Sequence, residues 1–248
     1  MQGIELVAHA IKMLFRDIWA MVKLTVLPML IGFTLMIFIS FLFSSDGLYA
    51  MLTGAKPPQH GQGAGDFLAD ILALFILVTT MFWAAIGWHL FVLLEEHPGR
   101  ILPHFSQNLA VAYLWATIRL GLISYILLIP FMFFIMAFVG GGPQMLLIVS
   151  IASTAIYALI LRFGLVLPGA AVGKPMSLRQ SWTLTKGKFG LIIFVALALT
   201  VLGNLAKVNL VPEYLGWAIS IFLSWFSFAF GISILTTIYG VYVEKRAL

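Results

Sequence analysis

His89, Glu95, Glu96, His97 and His104 are the residues whose types and spacing come nearest to chemistry. His89 and Glu96 are seven apart, so they share a helical face, and the other two imidazoles follow closely. Such a group would serve as metal ligands, or as an acid–base set acting on lipid headgroups. The same charges also close an apolar run, and a helix stopped at the membrane border accounts for them without chemistry. Other reactions lack their parts. The chain has no cysteine, which removes disulfides, thiolate metal sites and cysteine nucleophiles together. Ser150, Ser153, Ser224, Ser227 and Ser233 sit in apolar runs, where small polar residues let helices pack closely. A serine nucleophile needs a base and oxyanion donors, and the sequence sets neither beside them. Gly140–Gly142 have no strand or lysine to make a phosphate-cradling loop. The sequence therefore assigns no catalytic, cofactor-binding or metal-binding residue.

The elements that carry these residues are apolar throughout. Of 248 residues, 62% are hydrophobic and 9% charged, whereas a soluble domain has about 25% charged to wet its surface. This composition predicts an all-α integral membrane protein. Six transmembrane helices are expected, at about 24–43, 67–95, 120–139, 145–167, 191–210 and 215–243, in a single polytopic domain over 1–248. Glycine- and proline-rich residues 44–66 join the first two, and Pro130 falls inside the third, where a kink is expected. The mixed-sign segment before the first helix does not resemble a cleaved signal peptide.

Counting bases orients this layout. With six spans, one side holds Lys12, Arg16, Lys23, Arg100, Arg119, Arg162, Lys174, Arg179, Lys186, Lys188, Lys245 and Arg246. The other holds only Lys56 and Lys207, which completes the 14 basic residues. Positive charge marks the cytoplasmic side, so both termini are expected there. A net charge of +5 suits a nucleic-acid partner in a soluble protein. Here the bases flank apolar runs, and anionic phospholipid headgroups are the simpler partner, not nucleic acid.

Three cytoplasmic-side interfacial amphipathic helices are expected before the odd-numbered spans. In residues 3–22, Ile4, Val7, Ile11, Leu14, Phe15, Ile18 and Val22 recur on one face, opposite Glu5, His9, Lys12 and Arg16. Residues 100–118 form the second, anchored by Tyr113 and Trp115. Ser177-x-x-Gln180 opens the third as a capping box, and Gly187 ends it. Each carries a tryptophan four residues before a base: Trp19/Lys23, Trp115/Arg119 and Trp182/Lys186. That spacing suggests a three-fold repeat of interfacial helix plus helical hairpin, with each indole and cation on one face. These six residues, with Lys174, Arg179 and Lys188, are the expected contacts to lipid or to a partner.

The segment Leu161–Gly190 carries five of the bases and no acid. Its run Arg162-x3-Val166-Leu167-Pro168-Gly169-Ala170-Ala171-Val172-Gly173-Lys174-Pro175, then Leu178-Arg179-Gln180-Ser181-Trp182-Thr183-Leu184-Thr185-Lys186-Gly187, resembles a bacterial family. It is similar to multi-span membrane proteins related to the glycerophosphoryl diester phosphodiesterase membrane domain and to YciC-like inner-membrane proteins. Gly169 departs from their Pro-Ala-Ala order. Ile238-Tyr239-x-x-Tyr242-x-x-Lys245-Arg246 resembles their ending. The resemblance implies about six spans in the bacterial inner membrane, and no catalysis, since the phosphodiesterase barrel has no counterpart here.

The function expected is that of a non-enzymatic inner-membrane protein, acting through helix–helix or lipid contacts. It would be an accessory or assembly factor of a membrane complex, with other membrane subunits as partners, or serve envelope homeostasis. The alternatives are a transporter or channel for a small or lipid-like molecule, with Asn204 or Asn209 lining the path, and an enzyme on lipid headgroups using the opening cluster. The cysteine-free chain makes topology directly testable. Single cysteines at 12, 179 and 245 should react with a membrane-impermeant maleimide only from the cytoplasmic side, and those at 56 and 207 only from the other. Any exchange between the two groups refutes the six-span layout.

Overall fold

The computed structural model describes residues 2–43, 64–96, 106–139, 144–205 and 213–247. Helix α1 covers Gln2–Arg16. Helix α2, Ile18–Met21, runs through a π-helical turn, Val22–Val26, into α3, Leu27–Phe43. Then follow α4, Ala64–Leu94; α5, Gln107–Val139; α6, Gln144–Phe163; and α7, Val166–Ala171. Helices α8, Leu178–Leu184, α9, Phe189–Leu205, and α10, Glu213–Tyr242, complete the described elements. No strand occurs among the described residues.

Among the described residues, four stretches are long and apolar enough to cross a membrane: Ile18–Phe43, Ala64–Leu94, Gln107–Pro130 and Ile219–Tyr242. Helices α8 and α9, bent by 107° at their junction, make up to five if counted as one. Residues Leu147–Phe163 of α6 form a shorter apolar helix. The outward faces carry large bare hydrophobes, with Phe75 69% and Phe133 71% exposed. Water tolerates such continuous apolar surface poorly and hydrocarbon tolerates it well.

Several expected boundaries move, each for a local reason. The first amphipathic helix ends at Arg16, because Asp17 accepts the Ala20 N–H at 2.9 Å and starts a new helix. Trp19 and Lys23 therefore belong to the first stretch long and apolar enough to cross, which begins at Ile18 instead of residue 24. No separate helix precedes the third span within 106–139: α5 runs unbroken from Gln107, and it continues past Pro130 to Val139. The fourth ends at Phe163, four residues early, because Gly164 breaks it. The second and sixth begin and end close to expectation. Residues 44–63, His97–Phe105, 140–143 and 206–212 lie outside the described residues, and with them His104, Lys56, Arg100, Lys207 and Asn209.

Helix α10 packs against α1, α4, α7 and α9, and α4 against α3, the π turn, α5, α7 and α10. Alanine and glycine let the axes approach: Ala84, Ala85, Ala116, Ala196 and Ala229 are all buried. Helix α3 lies along α4, and α6 along α9. Buried and half-buried polar side chains tie the pairs. Thr25 in the π turn gives its hydroxyl proton to the Met21 carbonyl at 2.7 Å and accepts the Trp225 indole N–H at 3.1 Å. Thr154 donates to Thr200 at 3.0 Å, and Asn204 donates to Ser150 at 3.1 Å. Asn204 thus joins α6 to α9, where its amide serves packing.

Gly32 is one such close approach, of α3 to α4. A Cβ there would stand 2.7 Å from Thr80 Oγ1 and 2.8 Å from its Cγ2. Thr80 is β-branched, and its hydroxyl is bonded to the Ile76 carbonyl at 2.9 Å, so it cannot swing aside. Gly32→Ala should therefore lower stability by about 1–3 kcal/mol. Thr80→Ala in the same chain should recover most of the loss. Thermal unfolding in a mild detergent checks both, and a neutral Gly32→Ala would contradict the packing.

Candidate functional site: the basic end of the bundle

The segment after α6 is built by glycines that tolerate no side chain. A Cβ at Gly164 would press on the Ile160 carbonyl and stand 2.9 Å from Leu235 Cδ2, so the helix opens here. All six residues of α7 are then buried among α4, α5 and α10. Gly169 gives its carbonyl to the Lys174 N–H at 2.8 Å, and a Cβ there would be 2.8 Å from the Lys174 carbonyl. This closure accounts for glycine after Pro168. Gly173, at φ +70°, completes the return.

Helix α8 is then clamped to the end of α6. Its capping box forms as expected: the Ser177 N–H donates to Gln180 Oε1 at 2.7 Å, and the Gln180 N–H donates to Ser177 Oγ at 3.2 Å. One turn on, the buried Ser181 hydroxyl donates to the Arg162 carbonyl at 2.7 Å, which the break in α6 leaves without a helical partner. The Arg162 guanidinium lies 3.3 Å from the centroid of the Trp182 ring, and Phe163 stacks on the same indole at 5.0 Å. Helix α8 ends at Leu184, three residues before Gly187, whose φ of +77° turns the chain into α9.

Helix α1 borders this end, and its residues divide among three faces about 120° apart. Leu6, Ala10 and Leu14 are buried against α9 and α10. Ile4, Ile11 and Phe15 are exposed apolar residues on a second face, at 67%, 37% and 52%. Glu5, Lys12 and Arg16 are exposed on the third. The single apolar face expected from the sequence is thus split, with Leu14 inward and Ile4, Ile11, Phe15 and Ile18 outward.

Contacts bring the remaining bases of this end together. Arg246 pairs with Glu244 at 2.8 Å and donates to the Val92 carbonyl at 3.2 Å, tying the tail to the end of α4. Lys174 lies 3.8 Å from Glu244, and Lys188 stands over the Tyr242 ring at 5.4 Å. Arg179 and Lys186 are exposed on α8 and the turn after it.

Of the expected tryptophan–base pairs, Trp115 and Arg119 do share a face: both are exposed, and Arg119 Nε donates to the Trp115 carbonyl at 3.3 Å. Trp19 is 74% exposed, and Lys23 is half-buried in the π turn. Trp182 pairs with Arg162, and Lys186 lies beyond the end of α8. The three pairs therefore occupy three different settings, and the repeat they suggested is not reproduced.

The histidine–glutamate set does not assemble among the described residues. His89 is fully buried, whereas Glu95 and Glu96 are exposed past the end of α4. Described residues hold no group of three His, Asp or Glu able to take a metal. His89 Nδ1 lies 2.8 Å from Thr236 Oγ1, whose own proton goes to the Ile232 carbonyl at 2.7 Å. Thr236 therefore accepts, Nδ1 carries the hydrogen, and Nε2 keeps a lone pair. Neither that nitrogen nor the indole N–H of buried Trp88 has a hydrogen-bond partner among the described residues. This buried pair was missed in the sequence, although His89 lies within the apolar run, five residues before the last of α4.

Comparison with protein-family models, with curated proteins and with solved structures finds no match.

The geometry separates the two bases near Trp182. In a double-mutant cycle, Arg162→Ala and Trp182→Ala should couple by about 0.5–2 kcal/mol, the range for a partly desolvated cation over an indole. Lys186→Ala should add to Trp182→Ala without coupling. Unfolding free energies in detergent decide this, and the reverse pattern would assign the indole to Lys186.

Proposed function

We propose that this chain is a non-enzymatic, multi-pass protein of a bacterial inner membrane, working through contacts with anionic phospholipid and with other membrane subunits. On this reading α6 and α9 also cross, giving six spans with both termini cytoplasmic. The 17 residues of α9 reach about 26 Å, close to the thickness of a bilayer core. Kinship with the phosphodiesterase-membrane-domain and YciC-like proteins belongs to the same proposal. The quoted segment supports it as a packing motif: Ser181, Trp182 and Gly169 each have a stated contact, and none of those contacts is chemical machinery.

The observation that carries the reading is the meeting of bases and a three-faced helix at one end of the bundle. Helix α1 offers hydrocarbon-compatible side chains beside Lys12 and Arg16, and Arg179 and Lys186 stand exposed at the same end. A helix with an apolar outer face next to a basic one suits the headgroup boundary, where each base near an anionic surface contributes about 1 kcal/mol.

The test uses the whole chain extracted in mild detergent. Bound phospholipids and stoichiometric protein companions are identified by mass spectrometry. Retained anionic phospholipid should fall several-fold in the variant K12E/R16E/R179E/K186E, with zwitterionic phospholipid unchanged. Equal retention of anionic lipid, with no companion protein, would overturn the proposal.

A further inference from the structure

We infer that the bundle takes one acyl chain of a bilayer phospholipid into an internal slot between α4, α5, α6 and α10. The slot is a cavity of about 510 Å³, within the range of small-molecule sites. Its lining includes side chains of all four helices, with Leu167 of α7 and Leu199 of α9. No charged residue is among them, and the polar groups are hydroxyls: Tyr113, Thr117, Tyr157, Ser224 and Ser227. Ions and charged solutes would find no partner here.

The shape favours a chain. The lining follows α10 from Ser224 to Leu235, a length of about 16 Å along the helix. Ser224, Ser227 and Gly231 leave this side of α10 low, and a Cβ placed on Gly231 would meet nothing within 4 Å. One end is closed by buried Tyr113, Leu161, Leu167 and Leu235. At the other end Ser224 is exposed, beside the bare side chains of Ile221 and Phe222, 47% and 57% exposed. The mouth therefore opens on apolar surface, which hydrocarbon covers.

Occupancy follows from what such a space costs. An unfilled cavity forfeits dispersion contacts along its whole lining. Water could bond the hydroxyls but not the hydrocarbon that makes up most of the lining, including Val78, Met81, Phe82 and Phe228. Alkyl chains are the solvent at the mouth, so one that enters replaces the lost contacts and leaves its headgroup outside. This uptake rests on the cavity and on the membrane-spanning reading of its helices, and is separate from headgroup contact at the basic end.

The full chain is reconstituted in liposomes containing a phospholipid with a diazirine midway along one acyl chain, irradiated, and mapped by peptide mass spectrometry. Adducts are expected on Met81, Phe82 and Ile232 inside the slot and on Phe75 and Phe133 outside. Gly231→Leu, whose side chain enters the open space, and Ser227→Phe should each cut the inner adducts at least tenfold. The outer adducts should persist and so report a folded, inserted chain. Wild-type protein without inner adducts, or inner adducts undiminished in both variants, would overturn the inference. Inner labelling by a diazirine fatty acid but not by the phospholipid would equally remove the phospholipid from the slot.

Discussion

The bond from the Ser181 hydroxyl to the Arg162 carbonyl is the joint on which this architecture turns. A helix that stops inside an apolar assembly leaves carbonyls that neither water nor lipid will satisfy. Gly164 stops α6, and Ser181 arrives from a different helix to take the exposed acceptor. Once that bond forms, Trp182 is brought against Arg162 and Phe163, α7 is pressed among α4, α5 and α10, and α9 leaves in the direction that lays it along α6. The tail repeats the device on a smaller scale, with Arg246 supplying donors to the last carbonyls of α4.

How far the sequence could be read follows from which forces dominate locally. Long apolar runs bounded by charges make α4 and α10 legible to within three residues, and the capping box of α8 is visible because its partners are three residues apart. The hidden features depend on partners far away in the chain. Nothing within the segment says that Gly164 faces Leu235, or that Trp182 meets Arg162 before Lys186. Helix α1 shows the limit of a hydrophobic pattern. Its apolar residues were read as one face, because composition does not distinguish burial against protein from exposure to hydrocarbon. The division into Leu6, Ala10 and Leu14 against Ile4, Ile11 and Phe15 needs the neighbouring helices.

His89 illustrates the same point for polar groups. By sequence it belonged with the acidic residues that follow it. Its environment is instead set by Thr236, 147 positions later, whose commitment to the Ile232 carbonyl fixes which ring nitrogen holds the hydrogen. The sequence offers Asn204 as the lining of a path, whereas in the fold its amide donates to Ser150. Polar residues in apolar helices are thus read correctly only once their partner is known, since the same side chain serves packing in one place and binding in another.

The three faces of α1 have a mechanical consequence. A helix whose sides must touch protein, hydrocarbon and water at once can satisfy all three along a single line, the boundary of the bilayer. Because its inner side is fixed to α9 and α10, that line is fixed to the whole bundle. Fifteen residues make a lever of about 22 Å. Tilting the bundle by 10° about one end of it would lift the other end by about 4 Å, enough to drag charges into oil or hydrophobes into water. On the proposed function, rotation about the membrane normal costs nothing, and α1 would act as an outrigger that sets the depth and upright posture of the protein while leaving it free to turn.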